Sequence, residues 1–262
     1  MTTGHGDYWR ALGKDLATPT SAFLEHFDEY KVLDQVGRAP KSCAPVEQSV
    51  YPMIYRAQDV CALMWLTPDA AGSLDLVSHY PMVIDGALIS AHVIADTPWE
   101  GNIEGFVHLQ INGGAHTCFD PLFPLTGHSY IPNEHADFLL SGFAISVHPL
   151  RNVAEVSNKH SLLASSLSTH YETGKTILVE LSDQSEAREL HAVIGLVKAV
   201  ERSEISGLQV FRVTVEAFPG VDLPLIFGAT SLGTADWEPA PCEPIVAIFL
   251  LQGCLASAAM NL

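Results

Sequence analysis

The sequence is poor in basic residues. Its 262 residues include 13 Lys and Arg against 30 Asp and Glu, which gives a formal net charge of −17, and neither Lys nor Arg occurs from Ala57 through Leu150. Binding to nucleic-acid phosphates and to anionic membranes depends on basic side chains that neutralise negative charge. The composition therefore argues against direct phosphate binding to nucleic acid and against membrane association. It permits a basic protein partner, a small ligand or a cation.

Cysteine is also scarce. The five cysteines include no C-x-x-C pair, and this pattern argues against a disulfide framework. The amino terminus has no basic stretch followed by an apolar one, so no secretory signal is expected. The most apolar run, Ile245 to Met260, is interrupted by Gln252 and Gly253 and is shorter than the ~20 residues of a membrane-spanning helix. We expect a cytoplasmic protein.

Four common catalytic motifs are missing: a nucleophile elbow, a phosphate-binding loop, a dinucleotide fingerprint and the helix of zincin metalloproteases. Their absence removes the enzyme classes that are easiest to recognise and leaves open whether the chain is an enzyme. Hydrophobic residues make up 48% of the chain and charged residues 16%, which is typical of a folded protein. The chain is also long enough to bury a substantial core.

The amino-terminal part is predicted to be helical. We expect a helix over residues 19–36, because Thr18-Pro19 is typical of a helix start and Gly37 of a stop. Aromatic residues at i, i+4 and i+7 would dock this helix on a sheet: Phe23, Phe27 and Tyr30. We interpret residues 1–45 as a helical segment packed on the sheet, and residues 46–262 as a single β-rich domain.

From residue 46 onward the pattern is mainly β. Residues 208–218, for example, alternate apolar and polar side chains, as a strand with one solvated face does. Residues 137–147 are compatible with a strand or a short buried helix, and residues 157–172 predict a short helix. Further strands are expected in VEQSVYPMIYR, DVCALMWL and MVIDGALISAHVI, and over residues 176–181, 191–201, 221–227 and 245–251. The fold class is therefore mainly β, with one N-terminal helix and one or two short helices.

The strongest hairpin signal lies at residues 106–119, where residues 112–114, Asn-Gly-Gly, tolerate the positive φ of a tight turn. A two-residue loop would place Leu109 opposite His116 and mix apolar and polar groups on one face. A three-residue loop gives a nearly apolar face of Val107, Leu109, Ile111, Ala115, Thr117 and Phe119. Burial of one face favours the three-residue loop. The opposite face then carries Phe106, His108, Gln110, His116, Cys118 and Asp120.

The polar face of this hairpin predicts a metal site. In the three-residue register His108 lies across from Cys118, and directly opposed Cβ atoms are roughly 4.5–5.5 Å apart. Imidazole, thiolate and carboxylate groups bind zinc or another borderline divalent metal, so the candidate ligands are His108, His116, Cys118 and Asp120. His128 and His135 are candidate proton shuttles, because the histidine pKa lies near neutrality. The alternative is that this face is solvated and has no further role.

One stretch resembles a known family. The segment AHTCFDPLFPLTGHSYIPNEHADFLLSGFAISVHP resembles the signature of an uncharacterised bacterial family, in which a Phe-Asp-x-x-Phe/Tyr turn precedes a Tyr-containing loop and a strand like FLLSGFA. VFRVTVEAF, LPLIFG and IVAIFLLQGC are similar to its closing strands, so the likeness covers residues 105–254. That family commonly has tryptophan before the final Leu-Gln-Gly, where this chain has Phe249 or Leu250. The resemblance implies an antiparallel β-barrel of oligonucleotide/oligosaccharide-binding (OB-like) shape and implies no activity.

Two functions are compatible with these patterns. The first is a non-enzymatic cytoplasmic binding protein that presents an acidic β-barrel surface and the loop of residues 121–136 to a basic protein partner or small ligand. The second is a metal-dependent hydrolase or lyase that uses the His/Cys/Asp cluster of the 106–120 hairpin. The missing catalytic motifs and the long stretch without Lys or Arg favour the first.

Overall fold

Strands dominate the computed structural model, which describes residues 7–13, 23–33, 37–38, 49–58, 60–69, 71–99, 103–152, 166, 175–181, 189–205, 207–234, 236–260 and 262. The mainly β fold class is confirmed. The strands are β1 (Lys31–Val32), β2 (Gly37–Arg38), β3 (Ser49–Ala57), β4 (Val60–Pro68), β5 (Leu74–Met82), β6 (Ala87–Pro98), β7 (Gly105–Ile111), β8 (Gly114–Asp120), β9 (His135–Pro149), β10 (Ile177–Glu180), β11 (Leu190–Ile205), β12 (Leu208–Phe218), β13 (Val221–Gly228) and β14 (Pro244–Leu255).

The helices that lie wholly within the described ranges are short. They are α1 (Asp7–Arg10), α2 (Phe123–Thr126) and α3 (Ala256–Ala259), and 3-10 turns there span Phe27–Glu29, Gly127–Ser129, Leu150–Asn152 and Ala229–Ser231. None of the helices in the described ranges has the length and apolar character needed to cross a membrane.

The described strands form two sheets. The first has the order β1-β3-β4-β5, with β2 also paired to β3, and all its pairs are antiparallel. The second has the order β10-β11-β12-β13-β9-β14-β8-β7-β6. It is mixed, because β13 pairs with β9 and β14 pairs with β8 in parallel. Additional β11–β14 and β9–β6 pairings curl this sheet back on itself, and the result is not a clean antiparallel barrel.

Both faces of the curled sheet are covered by apolar residues. One cluster lies between it and the first sheet and includes Tyr8 of α1, Trp65 of β4 and Phe119 of β8. The other cluster lies on the opposite face and includes Leu109 and Phe249. Because the same strands are buried on two sides, polar residues that occur in them must find partners inside the protein.

The predicted helix over residues 19–36 is wrong in its described part. Phe23 and Leu24 are helical, but Phe27–Glu29 is a 3-10 turn and the chain then becomes extended, so that Lys31 pairs with Ile54 of β3. Phe23 and Tyr30 are buried, whereas Phe27 is 49% exposed. Pairing with a sheet edge satisfies the backbone of this segment in place of helical hydrogen bonds. Most of the predicted 157–172 helix lies outside the described residues.

The hairpin register differs from the one favoured by the sequence. Ile111 pairs with Gly114 and Leu109 with His116, and Asn112 and Gly113 have φ of 50° and 86°, as the two-residue type I′ turn requires. The three-residue loop is therefore wrong. The three-residue loop requires that only one face of the hairpin is buried, but Phe106 and Phe119, on the face away from Leu109, are also buried, against the first sheet. Apolar character on both faces removes the basis for that choice.

Candidate functional site

The four predicted metal ligands do not converge. His108 lies opposite Thr117 and not opposite Cys118; it is half-buried and its ring nitrogens contact the hydroxyls of Thr97 and Thr117 at 3.0 and 3.1 Å. Cys118 is fully buried in the apolar cluster with Leu109, and burial raises the pKa of its thiol. The corrected register places His108 and Cys118 on opposite faces, because side chains of a strand alternate.

Asp120 is a structural residue at the carboxyl end of β8. It is fully buried, and its carboxylate accepts hydrogen bonds from the backbone N–H of Leu122 at 2.8 Å, from the hydroxyl of Tyr130 at 2.6 Å and from the hydroxyl of Thr126. Burial raises the pKa of Asp120 to about 6, although these three hydrogen bonds act to lower it. The carboxylate thereby fixes α2 and the chain after it to the end of β8.

A different group of metal-binding side chains is present. His116, Glu180 and His191 each offer one ligand atom, and these atoms all lie within 4.8 Å of one another. His116 Nδ1 is 3.4 Å from His191 Nε2, and His191 Nε2 is 3.9 Å from Glu180 Oε2. Among the described residues, this is the one group of three or more His, Cys, Asp or Glu side chains with that geometry. It contains one of the predicted ligands.

Backbone pairing places these side chains together. Glu180 is directly opposite His191 in the antiparallel β10–β11 pair, so both project from the same face. His116 joins them because the two-residue turn puts it opposite Leu109, on the face of the β7–β8 hairpin that carries Leu109. Each of the three positions is thus determined by strand register.

A hydrogen bond fixes the orientation of His191. Its Nδ1 is 2.9 Å from the carbonyl oxygen of Glu189, so Nδ1 carries the hydrogen and Nε2 presents a lone pair to the group. Metal-binding histidines typically donate their second nitrogen in this way, which sets the tautomer. His191 is fully buried, whereas the side chain of Glu180 is 24% exposed. The group is therefore reached from solvent on the Glu180 side.

Aromatic walls keep both imidazoles neutral. The ring of Phe218 is 5.1 Å from that of His116, and the ring of Phe249 is 5.9 Å from that of His191. Burial lowers the pKa of His116 to about 4, with a further decrease from His191 and an opposing increase from Glu180. Burial also lowers the pKa of His191. Neutral imidazole is the form that binds metal ions.

A cleft of about 590 Å³ lies beside Phe218, and its lining residues do not include His116, Glu180 or His191. Phe218, which contacts His116, is also one of the residues that line this cleft, together with Lys175, Thr176, Leu196 and Lys198. Cavities of this size accommodate small molecules. Lys198 is paired with Asp222 and Glu216 at 2.5 and 3.4 Å, so its charge is largely offset.

The predicted proton shuttles lie elsewhere on the surface. His128 is exposed on the Gly127–Ser129 turn, and His135 is exposed opposite His92, with ring centroids 3.6 Å apart. Sequence reasoning missed Glu180 and His191, although a signal was present. Glu180 falls near the end of one predicted strand and His191 at the start of the next, and those two ends meet when consecutive strands pair in an antiparallel hairpin.

Comparison with known proteins gives no relative. No family model matches the sequence, and no curated protein and no solved structure shows a significant match to it.

Proposed function

We propose that this protein binds one divalent transition metal, zinc or a similar ion, through His116, Glu180 and His191, and acts as a metal-dependent hydrolase or lyase. The convergence of two imidazoles and a carboxylate, with ligand atoms within 4.8 Å, carries the proposal. A ligand set of two His and one Glu is used by catalytic zinc sites that keep a position open for water. Similar sets also bind other first-row metals.

The surroundings of the group support catalysis over a closed structural site. Three protein ligands leave a coordination position free, and the partly exposed Glu180 provides access from solvent. An ion there would lower the pKa of a bound water and polarise a carbonyl or phosphoryl oxygen. The protein supplies neutral imidazoles, one compensating carboxylate, and the aromatic rings of Phe218 and Phe249, which exclude water from the buried side.

Elemental analysis of protein purified without a histidine tag tests metal binding. We expect about one equivalent of transition metal in the wild type after growth in supplemented medium, and under about a tenth of an equivalent in His191→Gln, because loss of one ligand from a three-ligand site removes most of the affinity. His128→Gln, which removes an exposed histidine, is the matched control and should retain the metal. A wild type that carries under about a tenth of an equivalent ends the proposal.

Substitution with Co²⁺ tests the open coordination position. Azide should change the visible absorption spectrum of the Co²⁺ protein, because a small anion can occupy a position that the protein leaves to water. An unchanged spectrum at saturating azide would argue for a closed structural site and against hydrolase or lyase activity.

A second candidate is the non-enzymatic binding protein, for which strand β5 supplies a specific observation. β5 ends the order of the first sheet, and its exposed residues include Leu74 and Leu76, each 53% exposed, beside the acidic Asp75. An edge strand can pair with an extended segment of a partner. The absence of Lys and Arg between Ala57 and Leu150 favours a basic segment.

Affinity capture from the native host tests this candidate. Tagged wild type should retain a basic protein that the Leu76→Lys variant loses, because a lysine on the edge opposes strand addition and repels a basic partner. Retention of the same proteins by both variants would count against it.

The sequence-based location and family stay proposals. Cys61, Cys118, Cys242 and Cys254 are free thiols, which supports a reducing, cytoplasmic location. The OB-like barrel and the likeness to the uncharacterised bacterial family stay predictions.

A further inference from the structure

Thr117 holds Glu180 by both carboxylate oxygens. Its backbone N–H donates to Oε2 at 3.2 Å, and its hydroxyl donates to Oε1 at 3.0 Å. Thr117 directly follows the ligand His116 on β8, whereas Glu180 lies on β10, whose pairing in the described residues is with β11. These two hydrogen bonds therefore connect the carboxylate of an edge strand to the hairpin that carries the first histidine.

His108 extends this connection on the other side of Thr117. Its Nδ1 is 3.1 Å from the Thr117 hydroxyl oxygen, and its Nε2 is 3.0 Å from the hydroxyl of Thr97. A hydroxyl has one hydrogen, and that of Thr117 is donated to Glu180. The Thr117 oxygen must then accept from His108 Nδ1–H, and His108 Nε2 accepts from Thr97. The hydrogen bonds run in one direction from Thr97 to Glu180.

We propose that Thr117 and His108 are positioning residues of the metal site, and that they make Glu180 a ligand through Oε2 alone. Oε2 faces His191 at 3.9 Å and has two lone pairs, one of which accepts the Thr117 backbone N–H, while Oε1 is held by the Thr117 hydroxyl. This inference rests on the proposed metal site. It explains why His108, a residue type expected among metal ligands, lies beside the group without joining it.

The physical reason is coordination number. A carboxylate that rotates freely can bind a metal ion through both oxygens and occupy two coordination positions. A carboxylate whose Oε1 is held by a hydrogen bond occupies one position and leaves the others for water and substrate. Partners of this kind around metal ligands typically change metal affinity by about 10–100-fold when they are removed. The Thr117 hydroxyl and the His108 ring therefore control both affinity and geometry at the ion.

The test compares Thr117→Val, which removes the hydroxyl at nearly constant size, with Thr117→Ser, which keeps it. Zinc affinity is measured by competition with a chromophoric chelator, and coordination geometry by the visible spectrum of the Co²⁺ protein. We expect Thr117→Val to bind zinc about 10–100-fold more weakly than the wild type and to change the Co²⁺ spectrum. Thr117→Ser should have the zinc affinity and the Co²⁺ spectrum of the wild type. Gln110→Ala, an exposed change on the same hairpin, should match the wild type.

His108→Leu provides a second variant in case Thr117→Val fails to fold. It should weaken zinc binding less than Thr117→Val does, because the hydroxyl remains and only its orientation is lost. Unchanged affinity and an unchanged Co²⁺ spectrum in the folded variants, with metal bound by the wild type, overturn the positioning role and leave the metal site intact. A wild type that binds no metal overturns the proposed function, and this inference with it.

Discussion

His191 lies directly opposite Glu180 at the end of β10 and the start of β11. Opposed residues of an antiparallel pair have Cβ atoms roughly 4.5–5.5 Å apart, so the backbone brings the two side chains together before either adopts a rotamer. His191 is then fixed by the Glu189 carbonyl and Glu180 by Thr117. This preorganisation distinguishes the group from exposed histidines such as His128, which sit on turns.

Replacement of His116 by Gln should change how stability depends on pH. The folded-state pKa of His116, about 4, lies below its ordinary value of 6.5, so folding favours the neutral form. The contribution of His116 to stability is therefore complete above the ordinary pKa and is lost as the pH falls toward 4. His191 and Glu180, which face His116, are unchanged in this variant.

Between about pH 7 and about pH 4.5 the free energy of unfolding of the wild type should fall by on the order of 2 kcal/mol more than that of His116→Gln. Denaturant unfolding in the presence of a chelator measures this difference. The contribution of His79, whose pKa burial also lowers to about 4, is common to both proteins and cancels. Parallel pH profiles would show that the imidazole of His116 is not held neutral by burial.

Truncation of Phe119 should be strongly destabilising. Its ring is fully buried, 5.0 Å from that of Tyr8 and 5.2 Å from that of Tyr80. Phe119→Ala should cost about 3–5 kcal/mol, as truncation of buried aromatic residues does. Gln110→Ala on the exposed end of the same hairpin should cost under about 1 kcal/mol. A larger loss in Gln110→Ala than in Phe119→Ala, measured by thermal or denaturant unfolding, would contradict this arrangement.

The carboxyl-terminal strands of the second sheet could be predicted from the sequence. β12, β13 and β14 lie where alternation and β-branched content place strands, because each covers one run between clear turn residues. The extended conformation of residues 31–32 could not be predicted, because the helical spacing of Phe23, Phe27 and Tyr30 says nothing about a sheet edge available to these residues. β-pairing with β3 outweighs a local helical pattern there.

The candidate site was less predictable than the strands. The sequence predicts His116 as a metal ligand, but with partners from its own hairpin, because the predicted register assumes one buried face. Both faces of β7 and β8 pack against apolar residues. Only the two-residue turn brings His116 to the face that carries Leu109. Glu180 and His191 lie at the facing ends of two consecutive predicted strands, but local sequence does not determine that this pair meets the β7–β8 hairpin in the folded chain.

Gly228→Ala should displace the segment that follows α1. A Cβ at position 228 would contact the backbone carbonyl of Leu12, 2.7 Å from its carbon, and the N–H of Gly228 donates to the carbonyl of Ala11 at 2.6 Å. We expect a loss of about 1–3 kcal/mol, as for overpacked sites. Trp9, which is buried nearby in the chain, should shift its fluorescence to longer wavelength.

Gly195→Ala is the matched control for Gly228→Ala. Its added Cβ would meet the side chain of Thr176 at 3.0 Å rather than a backbone, and a side chain can move aside. Equal losses of stability in the two variants, or an unchanged Trp9 spectrum in Gly228→Ala, would show that the contact between β13 and the amino-terminal segment is not tight.

Tyr130→Phe should be more destabilising at neutral than at acidic pH. Its hydroxyl donates to the buried carboxyl group of Asp120 at 2.6 Å, whose pKa burial raises from 3.8 to about 6. Because the folded-state pKa is raised, Asp120 stabilises the fold most fully below pH 3.8 and less as the pH rises through 6. Above that value the carboxylate is ionised inside the protein and depends on its hydrogen-bond donors.

Removal of a donor to a charged group costs about 1.5–3 kcal/mol, and removal of one to a neutral group about 0.5–1.5 kcal/mol. The loss of unfolding free energy in Tyr130→Phe should therefore approach the first range at about pH 7.5 and the second at about pH 4. Urea unfolding at both pH values, with Tyr51→Phe on the half-buried part of β3 as control, measures the difference. A loss that is larger at the acidic pH would contradict the prediction. It would mean that the hydrogen bond from the Tyr130 hydroxyl stabilises the protonated carboxyl group of Asp120 more than the carboxylate.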